Sequence, residues 1–276
     1  MGSEVKIMRK GTRISANIVM TVVIIWLLIP LVATIVYSLF EDWTGIIPRG
    51  FTLANYQKIF SDTAFLTSMY QTLLVCVIPI VITIIVVLLA LFVVTVYFPR
   101  LEKYVQILCM IPYTIQGVIL SVSILILYAR GSSFLSGRMV MLIGAYCIII
   151  LPHIYNGIRN GMRAVNMNML LEAAEMLGES KLKAFFKVIV PNIITGITVS
   201  SLLAVGLLFG DYVIIRNLSS SNVNNMQKYL YQAMKRSSTE SSAVFAVIML
   251  ITFIITAVVL TLQNRSTLEK IRNGGK

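Results

Sequence analysis

Few residues could do chemistry inside the apolar parts of this chain. They are one acidic residue, Asp211, and the single histidine, His153. Asp211 follows Gly206 and Gly210 in an apolar run, and a charged side chain near mid-bilayer costs about 2.5–3.5 kcal/mol on insertion scales. Such a residue indicates a role in contact with a substrate or a gating partner. Helix packing alone, with Asp211 near the outer headgroups, is the alternative, and Arg216 could pair with Asp211 and cancel its charge. Catalysis or metal binding would need clustered His, Asp or Glu side chains, so a membrane-embedded enzyme is the weaker interpretation.

The composition predicts the elements that must hold these residues. Hydrophobic residues make up 58% of the 276 residues and charged residues 12%, whereas a soluble domain carries about 25% charged residues. We predict one all-α integral membrane domain over residues 18–263, preceded by an N-terminal segment (1–17) and followed by a tail (264–276). A helix crosses a bilayer with about 20 apolar residues. The six predicted transmembrane helices are Ile18–Phe40, Thr67–Tyr97, Tyr104–Ala129, Met139–Gly157, Pro191–Ile215 and Ala243–Gln263.

Lysine and arginine predict the orientation of these helices. If the N-terminus is cytoplasmic, eight of the 23 Lys and Arg residues lie outside: Arg49, Lys58, Arg130, Arg138, Arg216, Lys228, Lys235 and Arg236. The remaining 15 then lie inside. Because cytoplasmic loops carry the excess of positive charge, we predict that both termini are cytoplasmic. The net charge of +12 is then a topology signal, and no nucleic acid is predicted as a partner because no basic cluster is interleaved with exposed aromatic residues.

The longest predicted cytoplasmic loop contains residues 166–190, which have the pattern of two short amphipathic helices. Apolar residues recur at helical spacing after Asn168, a residue type that caps helices, and Gly178 fits the left-handed position that ends a helix. Such a pair could lie on lipid as an interfacial element. The small side chains of Ala173 and Ala174 favour instead the close approach of another protein.

The same segment carries a resemblance to a known family. It matches the EAA motif, E-A-A-x3-G-x9-I-x-L-P, of the membrane subunits of binding-protein-dependent ABC importers, with valine in place of the isoleucine and the leucine. The matching residues are Glu172, Ala173, Ala174, Gly178, Val188, Val190 and Pro191. The stretch Gly50–Tyr56, GFTLANY, is similar to the G-F-T-L-x-x-Y of the same family. Within it, the chain most resembles permeases of the spermidine/putrescine type, whose relatives carry 2-aminoethylphosphonate or ferric iron.

The resemblance implies a type I ABC importer (MetI-like) permease fold in a bacterial cytoplasmic (inner) membrane. Residues 166–190, here named the coupling segment, would be the coupling helices that dock on a cytoplasmic ABC ATPase dimer. The implied docking residues are Glu172, Ala173, Ala174, Gly178, Val188 and Pro191. The chain has no G-x-x-x-x-G-K-[ST] loop, so it would be a non-catalytic subunit without a cofactor, and ATP and Mg²⁺ would be bound by the ATPase. Further implied partners are a second permease chain, either a paralogue or a copy of this one, and an extracytoplasmic substrate-binding protein.

The candidate translocation pathway lies on the fifth and third predicted helices. Its candidate residues are Asp211, Gly206, Gly210, Ser200, Gln116 and Tyr113. We predict import of a small polar solute by alternating access. Asp211 would favour a polyamine, whereas Arg216 would favour a phosphonate. A secondary transporter or channel is the alternative class, but it predicts inverted repeats with paired broken helices, and it leaves the coupling segment unexplained.

Overall fold

The structure of this chain is a computed structural model that describes residues 2–43, 49–128, 136–219 and 223–274. The chain divides into two compact units. The smaller unit comprises Met1–Asp62 and Leu230–Leu250, and the larger unit comprises Thr63–Tyr229 and Ile251–Lys276.

The smaller unit starts with a long helix and a hairpin. In chain order its first elements are α1 (Gly2–Ser38), β1 (Phe40–Asp42), β2 (Arg49–Phe51) and α2 (Ala54–Ser61). The strands are antiparallel, with Phe40 opposite Phe51. The apolar part of α1, Asn17–Ser38, is long enough to cross a membrane, so the first predicted span is confirmed to within two residues.

An ion-pair cluster ties α2 to the start of the last helix in this unit. The last two elements of the chain are α12 (Met226–Met234) and α13 (Ser238–Gly274). The buried carboxylate of Glu240 in α13 accepts a hydrogen bond from Lys58 Nζ at 2.9 Å and lies 3.6 Å from Arg236 Nη1. The apolar part of α13, Ser238–Thr261, is long enough to span a membrane.

Three apolar helices pack together in the larger unit: α3 (Thr63–Tyr97), α6 (Arg138–Ala164) and α10 (Ile194–Gly210). The crossing of α6 and α10 is formed by small residues. A methyl group on Gly196 would lie 2.5 Å from the carbonyl oxygen of Gly157, and one on Gly161 would lie 3.1 Å from Ile193 Cβ. Ser200 packs against Gly157. Small residues at i and i+4 on both helices let the two backbones approach closely, as in membrane helix pairs.

The third predicted span is broken, so the expectation of one helix over Tyr104–Ala129 is wrong. Two helices bent by 100° replace it: α4 (Glu102–Met110) and α5 (Gly117–Tyr128). A 3-10 turn, Ile111–Thr114, separates them. The break has a local cause, because Pro112 has no N–H to donate and its ring clashes with the preceding helical turn. Ala129 lies outside the described residues.

The fifth predicted span also departs from one helix over Pro191–Ile215. Two elements precede its predicted start, α8 (Lys181–Ala184) and a π-helical turn (Phe185–Ile189). The span itself is divided among α9 (Val190–Asn192), α10 and α11 (Val213–Leu218). The chain bends by 65° between α9 and α10. Pro191 withholds a backbone N–H at this point, and single π-helical turns absorb such interruptions. At the other end α10 stops at Gly210, because Asp211 is extended.

The predicted fold class is confirmed despite these breaks. Among the described residues, four helices are long and apolar enough to cross a membrane, and the number rises to six if each bent pair forms one span. The second and fourth predicted spans fall within α3 and α6. One further helix, α7 (Met167–Met176), connects α6 with α8, and this connection contains the coupling segment.

Candidate functional site

The coupling segment is a helix–turn–helix whose turn is set by one glycine. Gly178 has φ +84°, the left-handed conformation predicted for it. Its N–H donates to Glu175 O at 2.9 Å, and the N–H of Glu179 donates to Ala174 O at 3.1 Å. These two bonds form a Schellman motif, which satisfies the last carbonyl groups of α7 and reverses the chain. The start of α7 differs from the prediction, because Asn168 lies inside the helix and Asn166 precedes it.

One side of the coupling segment is buried and packs against α3. Leu171 and Ala174 of α7 form a buried cluster with Ala184 of α8, and Val96 of α3 packs against it. Ala174, predicted as a docking residue, therefore points inward and joins the two short helices. Of the other predicted docking residues, Val188 is half-buried and Pro191 is exposed.

The opposite side of the coupling segment presents an exposed apolar tip. Met176 and Leu177, just before the glycine, are 85% and 86% exposed. Glu172 and Ala173 are exposed on the same helix. Two adjacent apolar side chains this exposed, on a helix too short to cross a membrane, form a candidate contact surface.

Two ion pairs lie beside the turn. Glu175 Oε1 lies 3.4 Å from Lys181 Nζ, and Glu179 Oε1 lies 3.3 Å from Lys187 Nζ. All four side chains are substantially exposed, so each pair contributes little to stability on its own. Only the first pair joins α7 to α8, because Glu179 and Lys187 both follow Gly178.

Asp211, Gly206 and Gly210 are brought together at a cavity of about 470 Å³ in the larger unit. The Asp211 carboxylate accepts a hydrogen bond from the Tyr146 hydroxyl at 3.0 Å. It also accepts from the backbone N–H of Ile214 at 3.1 Å. Asp211 therefore satisfies the free N–H groups at the start of α11.

The expected pairing of Asp211 with Arg216 does not occur. The Arg216 guanidinium lies instead over the ring of Tyr212, 5.9 Å from its centroid. Because the carboxylate already has a hydroxyl donor and backbone donors, its burial is compensated without a cation.

The remaining pathway candidates lie elsewhere in the larger unit. Ser200 is buried in the crossing of α6 and α10, where it packs against Gly157. Tyr113 lies in the turn before the 100° bend, and its ring contacts His153 edge-on at 5.1 Å. Gln116 is exposed immediately before α5. The structure thus assembles three of the six predicted pathway residues at one cavity.

Two features of these sites were not predicted from the sequence. Tyr146 was not identified because it is 65 positions from Asp211 and no local spacing joins them. The exposed tip was missed too, because Leu177 was expected only as part of the apolar helical repeat with Leu170, Leu171 and Ala174, and Met176 was not singled out. Their signal was present, since two apolar residues directly precede a helix-ending glycine and are flanked by Glu175 and Glu179.

Comparisons with known proteins agree on the type of molecule. Residues 99–268 match the family described as the binding-protein-dependent transport system inner membrane component. No curated protein sequence matches the chain.

Solved structures share the fold of the chain at low sequence identity. One is a bacterial ABC transporter involved in the import of the acidic polysaccharide alginate, with TM-score 0.65, 16% identity, and coverage of 88% of this chain and 92% of that chain. Another is a bacterial alginate ABC transporter in complex with an alginate pentasaccharide-bound periplasmic protein, with TM-score 0.69, 15% identity, and coverage of 94% and 96%.

Proposed function

This chain belongs to the family of binding-protein-dependent transport system inner membrane components, and from that premise we propose that it moves a small polar solute inward by alternating access, driven by a separate ATPase. The chain itself is a non-catalytic permease subunit. In the proposal ATP and Mg²⁺ bind to an ABC ATPase dimer, and a separate substrate-binding protein delivers the solute. Both termini would lie on the side of the ATPase.

One observation carries the proposal, namely the exposed tip of the coupling segment. Met176 and Leu177 project at a turn that is held by the Schellman bonds of Gly178 and anchored by the buried Leu171 and Ala174. A rigid apolar tip of this kind suits a pocket on a partner, since buried apolar anchors supply most of the binding energy of protein interfaces. Motion of the partner would then move α7 and α8 directly, because no flexible loop separates them from the tip.

The test replaces the tip and measures the partner directly. The importer is purified with its ATPase, and the ATPase that is retained on the permease is measured together with ATP-driven uptake in proteoliposomes. Leu177→Asp should weaken ATPase binding about thirtyfold, because loss of an interface anchor costs about 2 kcal/mol or more. Leu53→Asp is the matched control, since Leu53 is also exposed, at 61%, but lies in the smaller unit.

A second variant tests the shape of the turn. Gly178→Ala adds a methyl group into open space, so its effect comes only from the left-handed backbone, at about 1 kcal/mol or more. We expect reduced uptake per ATP hydrolysed with the permease still folded. If Leu177→Asp retains as much ATPase as Leu53→Asp does, the coupling segment does not dock the motor and the proposal is wrong.

The solute proposed from the sequence is a polyamine, with 2-aminoethylphosphonate or ferric iron as the alternatives. The structure removes one argument for a polycation, because the Asp211 carboxylate is occupied by Tyr146 and by backbone N–H groups. The choice then depends on the binding protein that delivers the solute. Screening that protein against spermidine, putrescine and 2-aminoethylphosphonate by calorimetry tests it, and tight binding of spermidine alone would support the polyamine.

We further propose that the open face of α10 contacts a second permease chain. Methyl groups on Gly206 or Gly210 would meet no atom within 4 Å in the described part of the chain, so this G-x-x-x-G pair makes no close approach there. Such pairs allow backbone contact between membrane helices. A cysteine crosslink at position 206 between two copies, or between this chain and a paralogue, would show which one is the partner.

A further inference from the structure

We propose that a cavity between the end of α6 and the start of α7 binds a phosphate oxyanion, such as the headgroup of an anionic phospholipid. The inference goes beyond the proposed function and does not depend on an ATPase or on any solute. The cavity lies wholly within the larger unit and has a volume of about 540 Å³, within the range of about 300–1,000 Å³ of sites that take small molecules.

The charges that line the cavity favour an anion. Arg159 donates to Glu102 Oε1 through Nε at 3.0 Å and through Nη2 at 2.7 Å. Arg163 Nη2 lies 3.7 Å from the same oxygen, too far for a hydrogen bond. Two guanidinium groups therefore share one carboxylate, which leaves one positive charge in excess.

The two arginines differ in how available they are. The Arg159 side chain is only 13% exposed and is committed to Glu102, whereas the Arg163 side chain is 63% exposed. Arg163 is thus free to turn its planar donors toward a ligand, and guanidinium groups bind phosphate through paired N–H donors.

The start of α7 adds donors to the same cavity. Asn166, Met167, Asn168 and Met169 all line it. The first backbone bond of the helix runs from Leu170 N to Asn166 O, so the N–H groups of the three preceding residues have no partner within the helix. The Asn166 side chain makes no capping bond, and the first turn of α7 has no acidic residue.

The conformation of Asn166 supports the same role. It is the one non-glycine residue with positive φ, +48°, among the described residues, and asparagine adopts this left-handed conformation more readily than other non-glycine residues do. This conformation turns the chain from α6 into α7, so that the helix start lies beside the arginines.

The position along α6 indicates a lipid as the source of the phosphate. With 27 residues, α6 is about 40 Å long at 1.5 Å per residue, close to the thickness of a bilayer with its headgroups. Arg159 and Arg163 lie in its last two turns and thus at headgroup depth. Leu91, Met162 and Met167 supply apolar lining, which suits the start of an acyl chain.

The test measures lipid binding to the purified full-length chain. The protein is freed of lipid in detergent and titrated with phosphatidylglycerol, and bound lipid is counted by native mass spectrometry. Phosphatidylcholine is the reference, because its choline cancels the phosphate charge and leaves no net charge. Arg163→Gln should weaken phosphatidylglycerol binding about fivefold, since a basic residue near an anionic headgroup contributes about 1 kcal/mol. Arg163→Lys keeps the charge but not the paired donors, so it should weaken binding less than Arg163→Gln does.

Two further variants protect the test against misfolding and against general charge effects. Asn168→Asp keeps Glu102 and both arginines, and its carboxylate favours the start of a helix, but it repels an anion in the cavity. It should weaken binding at least as much as Arg163→Gln. Arg100→Gln is the matched control, because Arg100 is an exposed cation that does not line the cavity, and it should change binding by less than about twofold.

A competition arm separates the two sources of phosphate. If millimolar inorganic phosphate displaces phosphatidylglycerol, the cavity recognises the oxyanion itself; if it does not, the lipid is the ligand, and either result supports the site. Slower amide hydrogen exchange at residues 163–170 with phosphatidylglycerol would locate the binding. The proposal is overturned if folded Arg163→Gln and Asn168→Asp bind the lipid like the parent, or if Arg100→Gln weakens binding equally.

Discussion

The crossing of α6 and α10 gives the sharpest test of this structure. Replacing Gly157 with alanine places a methyl group against Cβ and Oγ of Ser200 and 2.8 Å from the carbonyl oxygen of Gly196. A change in the Ser200 side-chain torsion would move only Oγ, because Ser200 Cβ and the Gly196 carbonyl are both fixed by the backbone of α10. The two helices must therefore separate, although they are packed along their length.

The expected penalty is at the upper end of the range for overpacking, about 3 kcal/mol. Gly144→Ala is the matched control in the same helix, because a methyl group there meets no atom within 4 Å. With no contact to break, it should stabilise the helix by about 0.5–1 kcal/mol. The two variants carry the same chemical change and should differ by about 4 kcal/mol.

The measurement is the free energy of unfolding of the purified chain in mixed micelles, followed by far-ultraviolet circular dichroism as the denaturing detergent is raised. A double variant adds a second test, because Ser200→Gly in the Gly157→Ala background removes two of the three clashing atoms. It should recover about 1 kcal/mol or more, as contacting residues are energetically coupled. Equal stability of Gly157→Ala and Gly144→Ala would show that the helices do not cross as closely as described.

Three further substitutions test other contacts. Asp211→Ala should lower the free energy of unfolding by about 1–3 kcal/mol, since it leaves the buried Tyr146 hydroxyl without its acceptor, whereas Asp211→Asn keeps an acceptor oxygen and should retain most of the stability. Glu240→Gln should lower the free energy of unfolding of the smaller unit by about 1.5 kcal/mol, at the low end for a charged hydrogen bond because Lys58 is exposed. The difference in this free energy between the parent and the variant should become smaller in high salt. Asn166→Gly should be neutral or slightly stabilising while Asn166→Ala costs about 1 kcal/mol, since only the second strains the left-handed backbone; the same unfolding assay checks all three.

The sequence was sufficient for features set by local composition. The predicted spans on α1, α3, α6 and α13 follow from runs of apolar residues, and each run is long enough to specify a helix whatever its neighbours are. The left-handed Gly178 was predictable for a related reason. A glycine after a short amphipathic repeat permits one helix ending that other residues resist.

The features that could not be predicted depend on contacts between distant residues. A single proline such as Pro112 is tolerated in many membrane helices, because neighbouring groups can satisfy the freed backbone groups. The bend of 100° therefore cannot be predicted from the sequence alone. The partner of Asp211 was equally inaccessible, as Tyr146 lies on another helix. Ala173 and Ala174 are alike in sequence, and only the packing of α7 on α8 decides that the second one is buried.

Taken together, the rigid and the bent parts of the larger unit indicate where alternating access would be absorbed. The crossing of α6 and α10 cannot slide, because a shift along either helix would drive backbone atoms into the contact around Gly157 and Gly196. The Asp211 carboxylate joins the end of α10 to α11 and, through Tyr146, to α6, so these helices should move as one body. The bend at Ile193 lies inside this contact, because Ile193 is buried and faces Gly161. The bend at Ile115–Gln116 lies outside it, where one helix ends and another starts. We therefore expect spin labels placed across the α6–α10 crossing to keep their distance during ATP turnover, and labels placed across the bend at Ile115–Gln116 to change theirs. A changing distance across the crossing would contradict this division.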